Sequence, residues 1–181
     1  SLEDLCMFIT KLDAARRQLR TAIELWFSDA DPVSIQTLAY AAHEIIHRLY
    51  RRKGLSDLLY DSNALTDKQR KEFPILLKQS ANFIKHATRN AEADEKAIFN
   101  SATNDLFLIF STIGLHRMGE KLNETESAFM FWLYLHNPGW FIGDEVIKNR
   151  APVERLNKMR NVEKIRFLRA FVEFKREIGA T

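Results

Sequence analysis

Apolar residues recur along most of this chain at alternating steps of three and four, the spacing that gathers them on one side of an α-helix. Leu5, Phe8, Leu12, Ala15, Leu19, Ala22 and Trp26 follow it and predict a first helix from about Leu2 to Phe27. Ser28-Asp29-Ala30-Asp31-Pro32 interrupts the pattern, and Asp31 as N-cap with Pro32 in the first turn predicts a new start. The second helix carries Ile35, Leu38, Ala39, Ala42, Ile46 and Leu49 on its inner stripe and runs to about Lys53. Arg48, Arg51, Arg52 and Lys53 then precede Gly54. Cations complement the negative end of the helix dipole and glycine suits the C-cap, so a structural role accounts for that basic cluster.

Leu55 to Leu65 reads as a connector, and Thr66 or Asp67 as the cap of a third helix that fades near Asn90. Pro74 lies inside this pattern and predicts a short opening turn followed by a kink or restart. A polar loop, Ala91 to Lys96, leads to a fourth helix from Phe99 to Leu115, whose Leu106-to-Phe110 run is apolar nearly all round. Asn123 followed by Glu126 is a capping signal for a fifth helix over about 124–136. Ala128 to Leu135 leaves that helix without a polar face, and Asn137-Pro138-Gly139 ends it. Trp140 to Ala151 reads as a short helix and loop, and Val162, Ile165, Leu168, Phe171 and Val172 define a last amphipathic helix.

The architecture expected is all-α: an up-and-down bundle of about five main helices over residues 1–137, with a C-terminal helical extension, 138–181, docked on it in a single domain. Two helices without polar faces are hard for one core of this size to cover, so the helices at 99–115 and 124–136 predict a homodimer.

Composition fits this picture. At 181 residues, with 46% apolar and 28% charged, the chain can bury a core without disulfide or metal. Six Gly and four Pro leave little material for many turns. Cys6 is the single cysteine, which excludes an intrachain disulfide and suits a reducing cytoplasm. Glu3 and Asp4 stand where a signal peptide would be basic, and the longest apolar run falls far short of a membrane span. Net charge is +3, and from Trp140 onward ten Lys/Arg face six Asp/Glu, which permits contact with nucleic acid or an acidic partner.

Two constellations carry chemistry. His43-Glu44-Ile45-Ile46-His47 has the spacing of a zinc hydrolase, with two imidazoles one turn apart and Glu44 as the base that would activate a metal-bound water. A third protein ligand would have to come from elsewhere, with His86, Glu124 and Glu126 available. The other lies on the third helix. Phe73, Leu76, Leu77, Ser80, Phe83, Ile84, Ala87 and Thr88 share one arc, and Lys78, Gln79, Asn82, Lys85, His86 and Arg89 the opposite one. An amide, an imidazole and three cations at one-turn spacing can hold a phosphate or present a general acid or base. No Gly-rich phosphate loop or nucleophile elbow accompanies them.

The blocks Lys11-Leu-Asp-Ala-Ala-Arg-Arg-Gln-Leu19, Asp31-Pro-Val-Ser-Ile-Gln-Thr-Leu-Ala39 and Asn82-Phe-Ile-Lys-His-Ala87 together resemble a family of small uncharacterised bacterial helical proteins. That resemblance spans about residues 10 to 135. More distantly, the helix order and the Asn82-x-x-x-His86 step resemble the HEPN superfamily of helical bundles. Active members of that superfamily are metal-independent ribonucleases carrying Arg-Asn-x-x-x-His, often assembled across a dimer. The resemblance implies an RNA- or nucleotide-binding module using Asn82, Lys85, His86 and Arg89 without cofactor. Ala81 stands at the arginine position, so the cation that would stabilise developing phosphate charge is missing, and weak or absent catalysis is implied. A zinc-dependent hydrolase and a dimeric interaction protein without small ligand are the competing expectations.

Overall fold

A computed structural model of the chain describes residues 8–56, 58–59, 66–85, 96, 98–137 and 158–179. Among the described residues it is an all-α helical bundle with six helices and no strand: α1 (Lys11–Phe27), α2 (Pro32–Arg52), α3 (Asp67–Lys85), α4 (Ala102–Arg117), α5 (Glu124–His136) and α6 (Lys164–Gly179).

Caps fix most of the boundaries. The first helix starts at Lys11 rather than near Leu2, because Thr10 and Asp13 close a reciprocal capping box: the Asp13 N–H donates to Thr10 Oγ1 at 3.0 Å and the Thr10 N–H to Asp13 at 3.1 Å. Phe8, expected on the inner stripe, is consequently fully exposed, and residues 1–7 lie outside the described residues. Asp31 caps α2 as expected, accepting from the Ser34 N–H at 2.8 Å with Pro32 in the first turn. Gly54 takes φ +74° just beyond α2, a left-handed turn that glycine enters at no steric cost. The Asn123–Glu126 box also forms, with both reciprocal bonds at 2.8 Å. The start of α4 is delayed to Ala102 because Asn100 accepts the Ala102 N–H on its own side chain at 3.0 Å. Pro74 sits in the interior of α3, which does not restart there.

The core is one cluster to which all six helices contribute. α1 packs most extensively on α2, and α2 on α4, while α5 receives α6 on its other side. Gly114 makes the α2–α4 approach possible: a Cβ there would stand 2.9 Å from Ile46 Cγ2 and 3.0 Å from Leu58. In α6 the fully buried residues are Phe167 and Phe171, whereas Ile165 and Leu168 of the expected stripe are half-buried. Phe167 stacks on Phe27 at 6.3 Å and meets Trp132 edge-on at 5.2 Å, so the aromatic packing of α6 decides its orientation.

α4 and α5 are covered from within the chain. In α5, Ala128 to Phe131, Leu133 and Leu135 are all buried, and among the described residues no large hydrophobic side chain of either helix is exposed. α1, α2 and α6 cover the buried residues of α4 and α5. Leu106, Phe110, Ile113, Trp132 and Tyr134 are half-buried and Phe99, just before α4, is 36% exposed, so this packing neither requires nor opposes the homodimer expected through 99–115 and 124–136. No helix of the described residues is long and apolar enough to cross a membrane. The stretch 140–151, expected to be a short helix and loop, lies outside the described residues.

Candidate functional site

α3 lies at the edge of the bundle and packs chiefly against α2. Its buried seam runs along Leu77 and Ala81, each 2% exposed, with Pro74 and Ile84 half-buried beside them. That seam is rotated from the arc expected, because Phe83 is 43% exposed and joins Ile75 on the solvent side. Among the described residues α2 is the main cover of α3, and one helix covers only a narrow stripe, so one edge of the apolar arc stays outside. Lys71, Lys78, Gln79 and Asn82 are exposed on the same helix.

Asn82 therefore reaches solvent, as the sequence predicts, while its neighbour Ala81 faces the core. The position one residue before Asn82 is thus turned inward. An arginine there would have to bury its guanidinium against Leu77, so alanine at this position fits the packing. Lys85 is the last residue of α3, with its side chain outside the described residues, as are His86 and Arg89.

The other constellation sits inside the bundle. Gln36 and His43 are fully buried and Tyr40 is 3% exposed; one and two turns apart on α2, they face α4. Phe107 of α4 packs against Tyr40 at 5.3 Å and against the His43 ring at 5.5 Å. His43 Nδ1 lies 3.4 Å from Ser111 Oγ. Asn104 Nδ2 donates to the Pro32 carbonyl at 2.9 Å, tying the start of α4 to the start of α2. Gln36, Tyr40, Asn104, Ser111 and Thr112 make the α2–α4 seam partly polar, a feature the apolar pattern did not reveal. The available signal was the spacing of Asn104, Ser111 and Thr112 on one side of α4.

The geometry of the zinc motif is informative. The His43 and His47 rings lie side by side, 5.7 Å apart with planes 22° from parallel. Glu44, between them in sequence, accepts the Tyr40 hydroxyl on its Oε1 at 2.9 Å. Burial and then that acceptor hold the Tyr40 hydroxyl well above its ordinary pKa. Of the further ligands considered, Glu126 is held by Arg16 and the Asn123 N–H, Glu124 is exposed in the first turn of α5, and His86 lies outside the described residues. Among the described residues no three His, Cys, Asp or Glu side chains come together as a metal site. A catalytic zinc also needs an open position for water, and His43 has no exposed surface.

Comparison of the chain with protein-family models, with curated proteins and with solved structures gives no match.

Proposed function

We propose that this chain is a HEPN-like binding or regulatory domain that contacts RNA or a nucleotide through the outer face of α3, with catalysis weak or absent. The observation that carries this reading is the pairing of an exposed Asn82 with a buried Ala81. The amide of the Asn-x-x-x-His step is presented to solvent, while the adjoining position that would bear the phosphate-stabilising arginine is spent on packing. Binding then rests on Asn82 for hydrogen bonding and on Lys85, His86 and Arg89 for charge, with Phe83 offering an aromatic face on which a base can stack.

The test is fluorescence anisotropy of a labelled single-stranded RNA, with nucleotides as competitors, alongside a cleavage assay. His86→Ala, Lys85→Ala and Asn82→Ala are each expected to weaken binding about fivefold or more with the unfolding transition unchanged, about 1 kcal/mol per lost contact. No cleavage above background is expected. Unaltered affinity in both His86→Ala and Lys85→Ala would defeat the reading.

The zinc-hydrolase alternative at His43, Glu44 and His47 has two imidazoles but no third ligand among the described residues. The interaction-protein alternative draws on the half-buried Leu106, Phe110 and Ile113 of α4 and Trp132 and Tyr134 of α5.

A further inference from the structure

Three stretches far apart in sequence meet at one end of the bundle. Lys53 Nζ donates to the Met118 carbonyl at 2.8 Å and joins the end of α2 to the end of α4. Arg16 donates to the Lys121 carbonyl and stands 3.6 Å from Glu120, joining the start of α1 to the link between α4 and α5. Residues 11–17, 51–54 and 116–126 consequently form a single pole. It holds eight Lys/Arg against four Asp/Glu, a surplus of four, where the whole chain carries only +3. One of those four acids, Glu126, is fully buried against Arg16 and does not face the solvent. Lys11, Arg17, Arg52, Arg117 and Lys121 are all exposed.

Helix dipoles explain only part of this. Arg51, Arg52 and Arg117 lie in the last turns of α2 and α4, where a cation is favourable. Lys11 opens α1 and Lys121 stands two residues before the Asn123 cap of α5, where the dipole disfavours positive charge. Cations at both kinds of helix end, brought together by tertiary contacts, require another reason for sharing one surface.

We propose that this basic pole is a docking surface for the phosphate backbone of a nucleic acid. No large hydrophobic side chain is exposed within these three stretches. A folded protein partner relies on buried apolar and aromatic anchors, and the three stretches themselves offer none, the exposed Phe8 and Ile9 lying just before Lys11. A phosphate backbone needs charge alone, and arginine's planar fork suits phosphate oxygens. The proposal uses none of the α3 residues and stands independently of the reading given for them.

The experiment is anisotropy of the full chain with a labelled oligouridylate across a salt series, comparing wild type with Lys11→Gln/Arg52→Gln/Lys121→Gln. Each lost phosphate contact removes about 0.7 from the slope of log affinity against log salt for a single strand, so the triple variant is expected to bind more weakly and to flatten the slope by about 2. Its thermal transition should match that of wild type; if the triple variant does not fold, Arg52→Glu alone is used, with weaker binding again expected. Affinity and slope equal to wild type overturn the proposal. Equal competition by polyglutamate at matched charge also overturns it and points to an acidic protein. Weakening by Asn82→Ala and Phe83→Ala with the pole variant unaffected sinks this proposal and spares the α3 reading; the opposite pattern does the reverse.

Discussion

The guanidinium of Arg16 lies 3.4 Å from the carboxylate of Glu126, a side chain with no exposed surface at all. Glu126 closes the capping box of α5 through the same oxygen, so one carboxylate serves a helix start and a contact to α1. Burial holds its proton affinity above the ordinary value of 4.5, against the opposing pull of the Asn123 N–H and Arg16.

This relationship sets a pH dependence. A carboxyl whose folded pKa is raised binds its proton more tightly when folded, so it opposes folding increasingly as pH rises above about 4.5. Arg16 limits that cost. Arg16→Gln is expected to lose about 3 kcal/mol at neutral pH by leaving a buried charge without its cation, and less in acid as Glu126 takes up a proton. Glu126→Gln should cost less than Arg16→Gln. Urea unfolding at several pH values checks this, and a loss of equal size at every pH would contradict it.

Trp26 anchors the opposite end. Its indole N–H donates to Asp105 Oδ1 at 2.7 Å, and Lys164 Nζ lies 4.0 Å over the ring while pairing with Asp29 at 2.8 Å. Trp26→Phe removes a charge-assisted donor and is expected to cost about 2 kcal/mol. Burial raises the Asp105 pKa, and the indole bond favours the ionised form, so the cost should shrink as pH falls through that raised value. Denaturation followed by far-UV circular dichroism measures it.

Gly114 offers a steric test. Alanine would improve helix propensity by about 1 kcal/mol, but its methyl would press on the stiff Cγ2 branch of Ile46 at 2.9 Å. Overpacking costs about 1 to 3 kcal/mol, so net destabilisation with a lower Tm is expected. A rise in Tm would show that the α2–α4 seam opens readily.

The His43–His47 pair yields a prediction about metal. Elemental analysis of purified protein is expected to find zinc well below one per chain, and added zinc should leave the unfolding transition in place. His43→Ala is nonetheless expected to lose about 2 to 4 kcal/mol, because it empties a fully buried position between α2 and α4. Stoichiometric zinc lost in His43→Ala would restore the hydrolase reading.

Much of the fold was legible before any coordinates. Asp31-Pro32 and Asn123-x-x-Glu126 act through bonds three residues long, so their outcome depends on nothing distant, and both caps form as read. The Thr10–Asp13 box was equally local, yet the longer apolar period running back to Leu5 masked it. The candidate site was legible only in part. Asn82 is exposed as expected, but the sequence alone could not show that Phe83 would share its side, since periodicity defines an apolar arc without defining how many neighbours cover it.

By itself, then, the sequence determined that the chain is helical, where most helices begin and end, and that Asn82 would not be core. Those properties follow from hydrogen bonds within a turn and from apolar spacing along one helix. Tertiary structure alone decided that α4 packs on α2 and α5 on α6, and that scattered cations assemble into one pole. Each of these depends on which helix ends are neighbours, and a one-dimensional pattern carries no record of that.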